Sequence, residues 1–196
     1  MEDLRRVFFH ELGHFVAHEM NQRYYSGTGI RSITIQPHYL GDHLFVGEAN
    51  INLSDDERER MAPPLKYLPE YLASSTYGCI FQAYYQKTKL SNCLKVNGED
   101  DMTKWHGSLL ANSLEYHNAD VAVAEEQYFD LLVQKRALDT MMMLNPENYL
   151  VEEGNQRYVV DIDRLRIDTD AFIDFHIEYY NTLILDYKNI LLSGHS

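Results

Sequence analysis

Apolar residues recur at helical spacing along the first twenty residues of the chain. Leu4, Phe8, Leu12, Phe15 and Val16 recur at i, i+4, i+7 and i+8 spacing, which places them on one face of an α-helix. More apolar side chains lie around the rest of this helix, so we expect it to be buried on most sides. They are Val7, Phe9, Ala17 and Met20, and Asp3 is the expected N-cap.

Two segments after this helix alternate between apolar and polar residues and contain β-branched side chains. The first, residues 31–37, reads RSITIQP and ends at Pro37, which cannot donate a ladder hydrogen bond. The second, residues 44–51, follows a short turn around Gly41. We expect the two segments to form an antiparallel pair beside the helix.

The middle of the chain is expected to be helical again. Residues 65–86 follow a proline pair and carry a mixed apolar and aromatic face, and residues 99–114 carry a second apolar stripe. Between them, residues 87–97 are expected to form a loop.

The last third predicts two more helices and a hairpin. Residues 120–144 have the pattern of a long helix that ends before Pro146. Residues 149–152 and 157–160 flank a short turn with a glycine, which is typical of a β-hairpin. A final helix is expected over residues 168–192.

These elements together predict a mainly helical α+β fold with a small antiparallel sheet and a helical C-terminal part. A length of 196 residues suits a single domain. We expect residues 1–114 to form its core and residues 115–196 to form a helical extension that carries the hairpin.

The net charge of the chain argues against some classes of binding partner. There are 17 Lys and Arg residues against 30 Asp and Glu residues, a net charge of -13, which argues against nucleic acids and anionic membranes. No run approaches the ~20 apolar residues of a membrane-spanning helix. The two cysteines, Cys79 and Cys93, form no motif and are typical of a reducing compartment, so we expect a cytoplasmic protein.

The first helix contains the sequence HELGH at residues 10–14. His10 and His14 are four residues apart on one helix face, so both imidazoles can bind a single metal ion. Glu11 lies about 100° around the helix, where it can reach a metal-bound water without binding the metal. Two imidazoles, a third protein ligand and an open position make a catalytic zinc site. The pattern predicts a Zn²⁺-dependent peptidase in which Glu11 takes the proton of that water.

The order of motifs resembles the peptidase domain of FtsH-type membrane AAA metalloproteases. That family has the HExxH helix, a strand of the form ITIxP, a glycine turn, a helix with a glycine and an acid four residues later, and a GxxND-like segment. This chain has HELGH at 10–14, ITIQP at 33–37, Leu40-Gly41, Gly78 with Gln82 in place of the acid, and GEDDM at 98–102. The resemblance covers residues 4–114 and implies a zinc metallopeptidase whose third ligand is an Asp of the last segment.

The chain departs from that family in one respect that concerns its substrates. It contains no G-x-x-x-x-G-K-[ST] motif, so it has no ATPase of its own. A polypeptide substrate would then have to be flexible or be supplied by a separate unfoldase. The apolar last helix is expected to cover the core or to mediate a homo-oligomer.

The helical phase gives an independent argument about the third ligand. In the helix that follows residue 98, Met102, Trp105 and Leu109 form an apolar stripe. Asp101 lies within about 80° of the centre of this stripe, whereas Asp100 lies nearly opposite. The phase favours Asp101 and leaves Asp100 open.

Other acids and histidines are weaker candidates. ImmA/IrrE-type metallopeptidases also carry HELGH, and their downstream ExxAN-like ligand segment is similar to Glu48-Ala49-Asn50. His18 is about 12 Å from His10 along the helix, too far to share one ion. Glu126 and Asp130 have a ligand-like spacing but are expected on a solvated face. A regulatory metallopeptidase of the ImmA/IrrE kind and a non-catalytic zinc or partner-binding domain are therefore the alternatives.

Overall fold

The computed structural model describes residues 2–25, 27–38, 44–51, 65–96, 99–114 and 117–192. Its helices are α1 (Glu2–Tyr24), α2 (Leu68–Gln86), α3 (Leu90–Val96), α4 (Glu99–Ala111), α5 (Asn118–Lys135), α6 (Asp139–Met142) and α7 (Ile162–Leu192). Its strands are β1 (Ile30–Pro37), β2 (Phe45–Ile51), β3 (Leu150–Gly154) and β4 (Arg157–Val160), and 3₁₀ turns at Leu65–Tyr67 and Pro146–Asn148 precede α2 and β3. The mainly helical α+β fold predicted from the sequence is confirmed.

Helix α1 is the central element of the fold. It packs against α2 on one side and against β1 and β2 on another, and most of its residues between positions 4 and 21 are buried, as predicted. Gly13 allows α2 to come close, since a Cβ at this position would lie 2.2 Å from the carbonyl oxygen of Tyr77. A larger residue at position 13 would push apart the two helices on which the HELGH segment depends.

The sheet is antiparallel, with the described strands in the order β2-β1-β4-β3. The predicted pairing of the first two strands is confirmed, with Ile35 of β1 opposite Gly47 of β2. The predicted hairpin is also present, and it joins the same sheet because Tyr158 of β4 lies opposite Ile35 on the other side of β1. Strand β2 is consequently an edge of this sheet and lies next to α1.

Asp3 does not cap α1, contrary to the prediction. The helix already includes Glu2, and the Asp3 carboxylate accepts hydrogen bonds from the backbone N–H groups of Leu44 and Phe45 at 3.0 and 2.9 Å. Arg6 donates to its other oxygen at 2.8 Å. Asp3 therefore links the start of the edge strand β2 to the first turn of α1 through hydrogen bonds.

The segment predicted as a loop over residues 87–97 contains helix α3, so that prediction is wrong. The N-terminus of α3 is capped by a residue of α5, because the backbone N–H of Ser91 donates to the Glu126 carboxylate at 2.7 Å. Leu90 and Cys93 are buried beneath it. Glu126, which was expected to be solvated, is half-buried in this role. A helix this short depends on such contacts, which local sequence does not reveal.

The long helix predicted over residues 120–144 is interrupted. Helix α5 ends where Arg136 adopts a left-handed conformation with φ of 54°, and the N–H of the next residue bonds to the carbonyl of Leu132 at 2.9 Å. Leu132 and Leu138 are fully buried on the two sides of the break. Buried apolar residues therefore continue on both sides of the break, so the apolar pattern does not reveal where α5 ends.

Helix α7 begins at Ile162, earlier than the predicted residue 168. The side chain of Asp161 accepts a hydrogen bond from the backbone N–H of Arg164 at 3.1 Å, the usual N-cap arrangement. Arg166 in the added turn forms an ion pair with the buried Glu19 of α1 at 2.9 Å, which joins the two helices. None of the described helices, α7 included, is both long and apolar enough to cross a membrane.

A carboxyl group is buried between α2, α5 and α7. Glu125 is 1% exposed and accepts hydrogen bonds from the hydroxyl groups of Tyr187 at 2.6 Å and Thr76 at 2.8 Å. Burial raises the pKa of Glu125 to about 7, although the two hydrogen bonds act to lower it. No local sequence pattern marks Glu125 as a buried residue.

We expect the contribution of Glu125 to the free energy of unfolding to fall as the pH rises from 4.5 to about 7. Over this range the folded protein keeps a proton on Glu125 that the unfolded chain has lost, so stability decreases by on the order of 3 kcal/mol. Glu125→Gln keeps an oxygen acceptor and cannot ionise, so the variant should lack this contribution, and its pH dependence should differ from that of the native protein by this amount. Urea unfolding at about pH 5 and about pH 8 measures it. Glu153→Gln, on the exposed hairpin, should behave as the native protein, and an unchanged dependence in Glu125→Gln would contradict the assignment.

Candidate metal centre

The fold brings together the two histidines of α1 and one aspartate of α4. The Nε2 atoms of His10 and His14 lie 3.0 and 3.1 Å from Oδ2 of Asp101, and the two Nε2 atoms are 3.1 Å apart. Among the described residues, these three form the one group of His, Cys, Asp or Glu side chains arranged to hold a metal ion. The three residues proposed as ligands from the sequence therefore meet at one point.

The far nitrogen of each histidine has a hydrogen-bond acceptor that defines its tautomer. Nδ1 of His10 lies 3.0 Å from Oε1 of Gln82, and Nδ1 of His14 lies 2.7 Å from the carbonyl oxygen of Ser74. Each Nδ1 carries the proton in this assignment, which follows from the hydrogen-bond network. Both Nε2 atoms then face the Asp101 carboxylate, and a proton or a metal ion between them would relieve the repulsion of their lone pairs.

Gly78 of α2 provides the space for the two imidazoles. A Cβ at this position would lie 2.4 Å from Nε2 of His14 and 2.9 Å from Nε2 of His10. Contacts this short do not occur between real atoms, so any other residue at position 78 would displace the rings. The close packing of α1 on α2 at Gly13 makes this arrangement possible.

The spacing of the three atoms agrees with the geometry of zinc. Ligand atoms about 2.0–2.1 Å from a tetrahedral zinc ion are about 3.3 Å from one another. The observed separations of 3.0 and 3.1 Å differ from this value by only a few tenths of an ångström. Two imidazole nitrogens and one carboxylate oxygen also form a donor set that zinc favours.

Electrostatic coupling between the histidines and the aspartate is strong. Burial lowers the pKa of His14, but the nearby Asp101 carboxylate outweighs this effect and raises the pKa to about 9. Burial raises the pKa of Asp101, but His14 and His10 outweigh it and hold the pKa well below its usual range. The carboxylate and the two rings thus favour a positive charge between them, which a proton or a metal ion can supply.

Glu11 lies on the same turn of α1 as His10 and His14 and is almost fully buried, at 4% exposed. Its Oε2 atom has no hydrogen-bond partner in the described part of the chain. Burial raises the pKa of Glu11, while His14 and His10 act to lower it. Strand β2 leaves room for the carboxylate at Gly47, where a Cβ would lie 2.4 Å from Oε1 of Glu11. A buried carboxylate with an unpaired oxygen is costly unless a ligand or a proton satisfies it.

The alternative ligands lie elsewhere. Glu48 is exposed on the edge strand β2 and is not part of the group. Nδ1 of His18 lies 3.2 Å from the carbonyl oxygen of Thr28, and burial lowers its pKa to about 4, which agrees with a neutral, partly buried histidine. Asp130 is exposed on α5, as predicted.

Part of the family resemblance falls outside the described residues. This concerns the Leu40-Gly41 turn, Gly98 and the side chain of Asp100. Within the described part of the GEDDM segment, the side chain of Asp101, which the helical phase favours, contacts both histidines.

Three supporting residues were not assigned a role from the sequence. Gln82 was noted only because it replaces an acid, and its contact with His10 explains why a hydrogen-bonding residue stands four positions after Gly78. Ser74 contributes a backbone carbonyl, so its side chain carries no signal. Gly47 leaves space for the Glu11 carboxylate because β2 lies against α1 at this point. Such pairings depend on how distant segments pack.

Comparisons with known proteins identify no relative of this chain. No family model, no curated protein and no solved structure matches it. Its function therefore has to be argued from the geometry and chemistry of the site.

Proposed function

We propose that the chain is a Zn²⁺-dependent metallopeptidase in which His10, His14 and Asp101 bind the metal and Glu11 is the general base. The observation that supports this most is the convergence of three lone-pair donors, 3.0 to 3.1 Å apart, beside a buried carboxylate with an unpaired oxygen. This combination is that of a catalytic zinc site with three protein ligands.

Each residue has a defined task in this proposal. A bound zinc ion lowers the pKa of water and polarises a carbonyl group, which is the chemistry of peptide hydrolysis. His10 and His14 present neutral Nε2 atoms because Gln82 and Ser74 hold their Nδ1 protons. Glu11 would take a proton from the attacking water at its unpaired oxygen and then donate it to the leaving amine. Burial raises the pKa of Glu11, which makes its carboxylate a stronger base.

The edge strand β2 supports a peptide as the substrate class. It pairs with β1 on one side and with no other described strand on the other. Its Gly47 lies directly against Glu11. An extended peptide can add to such an edge through main-chain hydrogen bonds, which would place it beside the site. An unfolded or flexible polypeptide would fit this edge. A separate unfoldase that supplies the substrate and a homo-oligomer stay predictions.

A purely structural metal site is the competing function. Structural zinc sites close the fourth position with another protein ligand and have no use for a base. Among the described residues the group contains three candidate ligands, and Glu11 lies beside them. These features favour catalysis, both for a general peptidase and for a regulatory one of the ImmA/IrrE kind. The two cysteines are buried and are not joined by a disulfide, and the cytoplasmic location stays a prediction.

Removing the third ligand tests the metal site. We expect Asp101→Asn to weaken Zn²⁺ binding by more than about 100-fold, since loss of a ligand should exceed the 10- to 100-fold cost of losing a supporting residue. Elemental analysis of purified protein and titration against a chromophoric chelator measure the change.

Asp100→Asn is the matched control, because it makes the same substitution at the adjacent position. It should bind zinc as the native chain does. If Asp100→Asn loses zinc and Asp101→Asn keeps it, the ligand assignment is wrong. If the native chain binds no zinc, the proposed function fails.

A further inference from the structure

Gln82 forms a hydrogen bond with Nδ1 of His10, on the side of the ring opposite to the Nε2 atom that faces Asp101. Its side chain is fully buried in α2, at 0% exposed, with Oε1 3.0 Å from Nδ1 of His10. Its Nε2 donates to Oε1 of Gln86, one turn later, at 3.1 Å. The thiol of Cys93 on α3 also points to that oxygen at 3.7 Å. The Gln82 amide is therefore held at both ends.

The contact with Gln86 determines which end of the amide faces the histidine. With the Gln82 nitrogen used as a donor to Gln86, its oxygen is the atom that remains for His10. An acceptor at Nδ1 fixes the proton there and leaves the Nε2 lone pair for a metal. The packing of α3 on α2 thus takes part in setting the tautomer of a residue in α1.

The hydrogen-bond partner of His10 Nδ1 is a neutral amide and not a carboxylate, which affects how tightly the site would bind a metal ion. A carboxylate at this position would accept the Nδ1 proton more strongly and make Nε2 a better donor. It would also add a negative charge to a buried region that already contains Asp101 and Glu11, and a divalent cation would compensate for it. An amide supplies the orientation without the charge.

We propose that Gln82 is a positioning residue that keeps His10 in the Nδ1–H tautomer, and that its neutral amide sets the metal affinity below that of a carboxylate in its place. This inference rests on the proposed metal site. It does not depend on peptidase activity, because it concerns binding of the ion alone.

Two substitutions at position 82 should change zinc affinity in opposite directions. Gln82→Met removes the acceptor at similar size and should weaken Zn²⁺ binding by about 10- to 100-fold. Gln82→Glu keeps an acceptor oxygen, adds the charge and should tighten binding by about tenfold. Competition with a chromophoric chelator gives the dissociation constants, and circular dichroism checks the fold of each variant. Gln127→Met, the same change at an exposed position of α5, should bind as the native chain.

The outcomes separate this inference from the proposed function. Equal affinities for the native chain and both variants would overturn the positioning role, and so would an equal loss in both, which would indicate packing alone. If Gln82→Met does not fold, tighter binding by Gln82→Glu supports the role and unchanged or weaker binding overturns it. Absence of zinc binding by the native chain would overturn the metal site as well. The expected affinity changes without any peptide cleavage would leave the positioning role standing and overturn the peptidase proposal.

Discussion

Glu11→Gln is expected to reduce the cleavage of an unfolded protein by about 10²- to 10⁴-fold, the usual contribution of a general base. The amide has nearly the same shape as the carboxylate and cannot accept a proton. Zinc content should be unchanged, because His10, His14 and Asp101 form the metal group without Glu11. Turnover of a labelled, unfolded protein substrate and elemental analysis of the same preparations give the two quantities.

The stability of the same variant separates catalysis from structure. The native chain buries an unpaired carboxylate oxygen at Glu11, so Glu11→Gln should be at least as stable as the native protein in urea unfolding. Glu178→Gln, the same change on the exposed face of α7, should alter neither activity nor zinc content. Full activity in Glu11→Gln would exclude the mechanism, and loss of zinc together with activity would mean that Glu11 belongs to the metal group itself.

Gly78→Ala is expected to remove high-affinity zinc binding through a single added methyl group. The new Cβ would lie 2.4 Å from Nε2 of His14 and 2.9 Å from Nε2 of His10, so the rings or the helix must move away from Asp101. Metal geometry tolerates little displacement of its ligands, and we expect a loss of at least about 100-fold in affinity. Titration with zinc and the absorption spectrum of the Co²⁺-loaded protein measure this loss.

Gly107→Ala is the matched control, since it makes the same substitution within α4. Apart from its adjacent residues and the backbone of its own helix, no described atom lies within 4 Å of a Cβ at this position. The higher helix propensity of alanine should raise the free energy of unfolding by about 0.5–1 kcal/mol and leave zinc affinity unchanged. Native-like zinc binding by Gly78→Ala would show that the imidazoles do not lie against α2 as the structure has them.

The elements that could be predicted from the sequence are those with a strong local pattern. Helix α1 follows from its apolar periodicity, the first two strands from alternation and the hairpin from its turn residues. Helix α3 could not be found in this way, because a helix of this length is stabilised by contacts such as the cap from Glu126. The break at Arg136 was missed because buried residues continue on both sides of it.

For the candidate site, the sequence determined which groups α1 presents. The spacing of His10 and His14 on one helix face, with Glu11 beside them, follows from the 3.6-residue period alone. The same period favoured Asp101 over Asp100.

Only the tertiary structure decided how these groups meet. It brings Asp101 to the histidines across 87 and 91 positions of sequence, places Gln82 behind His10 and sets Gly78 and Gly47 against the reactive side chains. The physical reason is that helical and strand periodicity act over a few residues, whereas these contacts depend on the close approach of α1, α2 and β2. That approach is set by the packing of the whole core.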